Sequence, residues 1–325
     1  MITQDIQLCI DALTRGELVA FPTETVFGLG ARSDSPDAIR KIYEIKGRPA
    51  DHPLIAHCSD VDVALALSPD VPAYARSLAA EFWPGPMTLI FRRAGSDAIC
   101  DEAVGGHDTV AIRVPSHQIA RELLAPCGFF VSAPSANKFG RVSPTTAEHV
   151  QSEFGDEILI LDGEPSQCGV ESTIISCVES HPHIIRAGAI TAQDVLRVTG
   201  HDVSSDLVTP SANNIAAPGT LENHYAPSIP VYIVTEESDI EFPVGLSAEK
   251  SAFLSFGQPT QNFLFSLVVH SYDDYAHQLY DFFRRAEARG CEGIFVVAPE
   301  NEGIGVAIND RISKASHSSM ESSNG

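Results

Sequence analysis

Short apolar runs and amphipathic stretches follow each other along the chain as far as about residue 200. The apolar runs are bounded by Gly, Pro or polar residues, which is typical of buried strands. Strands are predicted at 18–21, 54–56, 87–91, 109–115, 129–131, 158–161, 172–176 and 184–185. Helices are predicted from Pro36, after the capping residue Ser35, and at 64–67, 73–82, 117–125 and 191–199. Because strands and helices are mixed without strict alternation, we predict an α/β or α+β domain around a large twisted sheet.

The remainder of the chain contains a stretch without periodicity, followed by a second set of predicted strands and helices. Residues 204–230 are rich in Ser, Asn and Pro and lack periodicity, which predicts a linker. Strands at 231–234, 252–256 and 293–297 then alternate with helices at 273–289 and 303–315, an order typical of a parallel sheet. We therefore predict a first domain at 1–203, a linker, a small α/β domain at 231–315 and a disordered polar tail at 316–325.

The excess of acidic over basic residues limits which partners the protein can bind. The chain carries 21 Lys and Arg against 43 Asp and Glu, a formal net charge of −22. Such a surface repels phosphate backbones, so we expect no stable nucleic-acid binding. Against this background Arg40, Lys41, Lys46 and Arg48 form a local positive patch that contains the single acid Glu44.

Cysteine use and hydropathy indicate the compartment. The seven Cys form no C-x-x-C pair and are odd in number, which favours reduced thiols over a disulfide framework. No apolar stretch is long enough to span a membrane, and the first residues do not resemble a secretory leader. We expect a cytoplasmic protein with no membrane partner.

The segment Lys46-Gly-Arg48-Pro49 is the first candidate for chemistry. Gly and Pro end the preceding helix and leave both cations in a loop. There they can converge on one polyphosphate, with Arg binding bidentately and Lys acting as a point charge. The alternative is that they only complement the dipole at the helix C-terminus; the acidity of the chain favours the anion site.

Three further segments combine a strand with polar side chains. Arg113 shares a strand face with Thr109. It should point into a cleft and hold a carboxylate or phosphate, because an unpaired buried Arg is costly. The alternative is a structural ion pair with one of the acids of the chain. The loop 132–137 follows a strand and offers small residues and hydrogen-bonding side chains for a ligand, or is an ordinary polar turn. The segment 21–25 could bind an amino-acid-like ligand or cap a helix.

Several familiar site motifs are absent. There is no P-loop, no H-E-x-x-H and no G-x-S-x-G elbow, and Gly28-Leu-Gly30 lacks the third Gly of a dinucleotide fingerprint. His181 and His183 have metal-ligand spacing, but no third His lies nearby in sequence, which favours a solvated turn.

The motifs, taken in order, resemble the YrdC-like family in its long two-domain form, threonylcarbamoyl-AMP synthase. Individually they are weak signals, but their shared order along the chain is specific. The matching segments are FPTETVFGLG at 21–30, KGRP at 46–49 with PL at 53–54, WPGPMT at 83–88, TVAIRVP at 109–115, SAPSAN at 132–137, GVEST at 169–173, IRAG at 185–188 and HYAP at 224–227.

This resemblance implies a fold and a reaction. The fold is α/β, a twisted mixed sheet with a large concave cavity, followed by a small Rossmann-like parallel α/β domain. The reaction joins L-threonine, bicarbonate and ATP into threonylcarbamoyl-AMP with release of pyrophosphate. The product is handed to the tRNA threonylcarbamoyl transferase for N6-threonylcarbamoyladenosine modification next to the anticodon. Mg²⁺ would enter with the phosphates of ATP and need no protein metal site.

The resemblance also implies roles for individual residues. Arg113 would take the carboxylate of threonine, and Lys46 and Arg48 would act at the phosphates as the catalytic cations. His52 stands where the family often has Asn, and Tyr225 would close over the nucleotide. The implied threonine-binding residues are Thr25, His57, Arg113, Ala133 through its backbone, and Ser172. The implied ATP-binding residues are Lys46, Arg48, His52, Thr109, Ser135, Asn137, Ser143, Arg186 and Tyr225.

Other functions remain compatible with parts of the pattern. One is an RNA-binding module, which the net charge and the lack of a basic stripe with stacking aromatics disfavour. A carbamoyl-transfer domain of hydrogenase maturation would share the fold, but such proteins carry acylphosphatase and Cys-rich zinc segments that this sequence lacks. A third is a regulator that only senses nucleotide.

Overall fold

The computed structural model describes residues 1–95, 97–203 and 225–321, with side chains as far as residue 316. These residues group into two compact units. The first contains residues 1–139 and 144–203, and the second contains 140–143 and 225–321. The predicted linker therefore falls largely at 204–224, outside the described residues, as does the end of the predicted tail at 322–325.

The first unit is built on a mixed sheet of ten strands among the residues described. The strand order is β1-β8-β2-β3-β7-β4-β6-β5-β9-β10, with both parallel and antiparallel neighbours. The strands are β1 Ile2–Thr3, β2 Val19–Phe21, β3 Gly28–Arg32, β4 Ile55–His57, β5 Met87–Arg92, β6 Thr109–Arg113, β7 Val131–Ser132, β8 Leu159–Leu161, β9 Thr173–Ser176 and β10 His183–Arg186. The helices are α1 Ile6–Thr14, α2 Pro36–Lys46, α3 Val61–Leu65, α4 Ala73–Phe82, α5 Gln118–Leu124, α6 Ala147–Phe154 and α7 Ala192–Thr199.

Helix α2 has a capped start and a defined end, and that end leads into the candidate phosphate-binding segment 46–49. The hydroxyl of Ser35 accepts the backbone N–H of Ala38 and caps the first turn, and Pro36 fits there without losing a hydrogen bond. The helix ends at Gly47, whose φ of 65° is the left-handed conformation that Gly adopts at least cost. The predicted start and the Gly-terminated end are both confirmed.

The two faces of the central strands differ. Leu89, Ile112 and Ile175 point into the largest apolar cluster, which also contains α2 and α4. Their strand neighbours point to the opposite face, where Ile90 and Ala111 belong to a much smaller apolar cluster. Few apolar side chains therefore lie on that second face, which leaves room there for polar side chains.

The second unit is a parallel sheet of four strands in the order β11-β14-β12-β13. Its strands are β11 Val231–Val234, β12 Ser251–Ser255, β13 Phe265–Val268 and β14 Gly293–Val297, and its helices are α8 Tyr272–Ala288 and α9 Gly305–Glu321. The α/β prediction is confirmed for both units. Helix α9 runs past the helix end predicted at residue 315 and continues to Glu321. No helix in the described ranges has the length and apolar character needed to cross a membrane.

Candidate active site

The candidate site lies on the face of the central strands that has the small apolar cluster. On β6, Thr109 and Arg113 alternate with core residues and share this face with Ala111. His57 of β4 is the register partner of Arg113, and Thr88 of β5 is the partner of Ile174 on β9. Neighbouring strands thus bring residues of distant motifs into one row.

Arg113 is held by the segment between β2 and β3. Its Nη1 donates to the Thr25 hydroxyl at 2.8 Å, and its Nη2 lies 2.8 Å from Oε1 of Glu24. Both charged side chains are about 5% exposed, and the other Glu24 oxygen accepts the backbone N–H of Ser116. Burial alone raises the pKa of the Glu24 carboxyl, but the Arg113 charge outweighs burial and the net pKa is lowered. Glu24 is therefore an anion that aims Arg113.

The Arg113 guanidinium has an N–H group left that can donate to a ligand. Its Nε is buried and has no hydrogen-bond acceptor in the part of the chain that the structure describes. A buried donor of this kind costs about 1–3 kcal/mol unless something accepts from it. A ligand carboxylate is the natural acceptor for a guanidinium edge.

His57 contributes a neutral ring beside this cation. Its Nδ1 lies 3.0 Å from the carbonyl oxygen of Ile55, and its ring meets Phe21 edge-on. Burial, helped by the Arg113 charge, lowers the pKa of His57 to about 3. The ring is thus uncharged at neutral pH and suits hydrogen bonding to a ligand better than proton abstraction.

Ser172 and Arg186 form the next part of the row. Arg186 donates from Nε and Nη2 to the Ser172 carbonyl at 3.1 and 3.0 Å, and from Nη2 to its hydroxyl at 3.1 Å. The Ser172 hydroxyl lies 2.8 Å from that of Thr88 on β5, the strand beside Arg113. A β-bulge between Ile184 and Arg186 makes Arg186 the partner of Ile174, whose side chain lies on the candidate-site face. The bulge therefore re-aims a cation into the site.

Gly188 holds the Arg186 segment against Ser172. A Cβ built on Gly188 would lie 2.4 Å from the backbone nitrogen of Thr173, a contact that only backbone movement can relieve. We expect Gly188→Ala to displace Arg186 and lower turnover by about 10²-fold, the scale of a misplacement near 1 Å. Steady-state kinetics against Gly257→Ala, whose Cβ would meet nothing within 4 Å, checks this. Equal turnover in the two variants would contradict it.

Lys46 connects the end of α2 to the loop 132–137. Its side chain is 3% exposed, and its Nζ donates to the carbonyl oxygen of Ser135 at 2.6 Å and to that of Asn137. Burial, followed by the charge of Arg48, lowers the pKa of the Lys46 ammonium well below its ordinary value. An anionic ligand placed here would reverse that shift.

We therefore expect ATP binding to take up a proton at Lys46 at pH values between the lowered pKa of the free enzyme and the higher pKa of the complex. The free enzyme holds Lys46 with a lowered pKa, and a bound polyphosphate raises it, so affinity for ATP should fall as pH rises. Calorimetric titration in buffers of different ionisation enthalpy measures the proton uptake. Lys46→Met should abolish it and Arg48→Ala should retain it; uptake that persists in Lys46→Met would contradict this origin.

Arg48, His52 and Asn137 lie around Lys46. Nη2 of Arg48 donates to the Pro53 carbonyl at 3.2 Å, and Nδ2 of Asn137 donates to the Lys138 carbonyl at 2.7 Å. The His52 ring packs against Phe139 with centroids 5.9 Å apart, and burial with the Arg48 charge lowers its pKa.

Three further predicted residues are Thr109, Ala133 and Ser143. Thr109 begins β6, four residues from Arg113, and four steps of about 3.4 Å separate them by roughly 13 Å along one face. The Ala133 N–H donates to Ile55 at 2.9 Å, so only its carbonyl remains for a backbone contact. Ser143 is buried in the second unit.

Tyr225 also belongs to the second unit. It is 1% exposed, has a φ of 65°, stacks on Tyr280 at 5.8 Å, and lies under the Arg311 guanidinium at 5.0 Å. Its closure over a nucleotide stays a prediction, and its neighbour His224 lies outside the described residues.

Two residues of the site were not singled out from the sequence. Glu24 was read only as part of the segment 21–25, and Thr88 only as part of a resembling segment. Glu24 is a carboxylate that Arg113 needs as a partner, and Thr88 aligns the Ser172 hydroxyl. An acid between two hydroxyl residues at a strand end was the available signal for Glu24.

Taken together, the sheet and its polar face define an α/β protein of the YrdC-like class with buried cations on one sheet face. Residues 11–188 match the family Sua5_yciO_yrdC, described as "Telomere recombination". Residues 190–317 match the family Sua5_C, described as "Threonylcarbamoyl-AMP synthase, C-terminal domain". The chain belongs to the two-domain threonylcarbamoyl-AMP synthase family.

Relatives match over nearly the whole length. Threonylcarbamoyl-AMP synthase of Pyrococcus abyssi is 36% identical, covering 96% of this chain and 94% of that protein. The Bacillus subtilis protein of the same name is also 36% identical, with the same coverages. The crystal structure of P. abyssi Sua5 complexed with L-threonine matches with a TM-score of 0.86 at 33% identity, covering 97% of this chain and 94% of that one.

Proposed function

We propose that this protein joins L-threonine, bicarbonate or CO₂, and ATP into L-threonylcarbamoyl-AMP and releases pyrophosphate. The observation that carries the proposal is the row of Arg113, Ser172 and Arg186 on one sheet face of an acidic protein. Two buried cations on one face suit a ligand with a carboxylate and a phosphate.

Threonine would bind at the Arg113 end. The unpartnered Nε of Arg113 would donate to its carboxylate, with the Thr25 hydroxyl bonded to Nη1 of the same guanidinium and the Ser172 hydroxyl bonded to Thr88 on the neighbouring strand. The neutral ring of His57 and the carbonyl of Ala133 would complete the pocket. Glu24, added to this set by the structure, would act as a positioning residue because it holds the Arg113 guanidinium.

The nucleotide would extend from this pocket along the sheet face. The separation of Thr109 and Arg113, roughly 13 Å, suits a ligand as long as an aminoacyl nucleotide. Lys46 and Arg48 would neutralise the phosphates, with Arg186 between threonine and nucleotide. The other nucleotide contacts we propose on this unit are His52, Ser135 and Asn137.

The chemistry needs no side-chain nucleophile. The threonine amine forms a C–N bond with CO₂ and loses a proton, which gives a carbamate. A carbamate oxygen then forms a bond to the α-phosphorus while the bond to pyrophosphate breaks. Positioning and charge neutralisation are the main sources of catalysis in such phosphorus chemistry.

Mg²⁺ would enter with ATP. Among the described residues, the one group of three side chains with metal-ligand spacing is Glu179, His181 and His183, at the turn between β9 and β10. Mg²⁺ prefers oxygen ligands, and it is commonly held by substrate phosphates. Lys46 and Arg48 would neutralise part of the phosphate charge, and a metal ion held by the phosphates would neutralise more of it.

We further propose that the protein is cytoplasmic and hands its product to the tRNA threonylcarbamoyl transferase. The net charge of −22 supports delivery of a small molecule over stable binding of tRNA by this chain.

Pyrophosphate release by the purified protein tests the function against its alternatives. We expect release that requires threonine and bicarbonate together with ATP. A nucleotide sensor would bind ATP without release, and an RNA-binding module would retain tRNA without turnover. A carbamoyl-transfer domain of the hydrogenase-maturation type would require a carbamoyl donor instead of threonine.

A further inference from the structure

The turn between β9 and β10 brings together three side chains that can bind a metal. Glu179, His181 and His183 each place one ligand atom within 4.8 Å of the other two. The Nε2 of His183 lies 3.3 Å from Oε2 of Glu179, and the two imidazole centroids are 4.3 Å apart. We propose that these three residues form a binding site for a divalent transition metal ion of the zinc class.

The spacing suits the coordination shell of such an ion. Zinc binds imidazole nitrogen and carboxylate oxygen at about 2.0–2.2 Å, so tetrahedral ligand atoms lie roughly 3.3 Å apart. The His183–Glu179 distance already has this value. Only the His181 ring has to turn, and it can do so because that side chain is exposed.

The backbone prepares this arrangement. His181 lies in the bend and His183 begins β10, and this turn holds the two imidazole rings side by side. Pro182 between them restricts the backbone and reduces the entropy that ion binding must overcome. The Glu179 carbonyl accepts the Tyr74 hydroxyl at 2.8 Å, which anchors the turn to α4.

The ligand set selects the class of ion. Imidazole suits zinc, nickel and copper, whereas Mg²⁺ and Ca²⁺ prefer oxygen ligands throughout. Three protein ligands leave a further coordination position for water. The side chains of His183 and Glu179 are 30% and 38% exposed, so an ion can enter directly from solvent.

The site is separate from the proposed substrate site. Ser172 precedes β9 and Arg186 ends β10, so both lie at the opposite end of this hairpin. A strand of four residues spans about 13 Å. Failure of this proposal would therefore leave the proposed reaction untouched, and the reverse also holds.

Zinc titration of the metal-stripped full chain, in competition with a chromogenic chelator, tests the proposal. We expect the wild type to bind one zinc ion more than the double variant His181→Ala, His183→Ala. Glu179→Gln, which preserves size, should weaken that ion by about tenfold or more, at least the effect of losing an outer-shell partner. His107→Ala, a histidine outside the group, should behave as the wild type, and excess Mg²⁺ should not displace the zinc.

Thermal unfolding provides a second readout. Zinc should raise the unfolding temperature of the wild type more than that of the double variant, because an ion that binds only the folded state stabilises it. Zinc binding of equal stoichiometry and affinity in wild type and double variant would overturn the proposal.

Discussion

Replacing Lys46 with alanine is expected to lower turnover by about 10²-fold or more, the scale of losing one charge-stabilising contact. The Lys46 ammonium is buried and already donates to the Ser135 and Asn137 carbonyls. Its loss would remove the charge that we propose neutralises the phosphates, and it would also release the loop 132–137. Arg48→Ala should have a similar effect on turnover without freeing that loop.

Pyrophosphate release at saturating threonine measures this effect. Lys41→Ala is the matched control, because Lys41 lies on the same helix and donates to the Gly16 carbonyl away from these loops. The control should retain wild-type turnover. Turnover in Lys46→Ala equal to that of the control would remove Lys46 from the phosphate site.

Replacing Arg113 with methionine is expected to produce the second large effect, a loss of threonine recognition. Truncating one partner of a buried, hydrogen-bonded charge pair costs about 2–5 kcal/mol. At about 1.4 kcal/mol for each factor of ten, that cost corresponds to a rise in the KM for threonine of about 30-fold to several thousand-fold. The KM for ATP should change much less.

The same substitution leaves Glu24 buried without its cation. We expect the free energy of unfolding to fall by about 3–5 kcal/mol, the usual cost of breaking a buried pair on one side. The double variant Arg113→Met, Glu24→Gln should recover much of the stability but none of the threonine recognition. Recovery of threonine binding in the double variant would show that Arg113 acts only as a structural partner of Glu24.

Local sequence signals were sufficient for part of this site. The Lys46 and Arg48 pair stood out because the chain is acidic, and the Ser35 cap and the Gly47 stop defined the helix that presents it. Strand alternation placed Arg113 on a face with Thr109. Of the two uses weighed for Arg113, the structural ion pair is present, because Glu24 takes Nη2. Binding of a ligand carboxylate stays a prediction, and Nε has no other acceptor among the described residues.

Features that depend on distant partners could not be predicted locally. The β-bulge that re-aims Arg186 exists only in the pairing of β10 with β9. Strand β3 was missed because its Gly-rich sequence has low strand propensity; Gly30 is required because a Cβ there would lie 2.8 Å from the Phe21 ring. Helix α9 extends beyond its predicted end because the serines near its C-terminus lack the apolar periodicity from which a helix is predicted.

Conversion of isotopically labelled bicarbonate tests the central claim most directly. Purified protein is incubated with ATP, L-threonine and labelled bicarbonate, and nucleotide products are identified by mass spectrometry. The account predicts an adenylate of threonylcarbamate that contains one labelled carbon, formed in step with pyrophosphate and only when all three substrates are present. Pyrophosphate formed without threonine, or an adenylate that lacks the label, would contradict it.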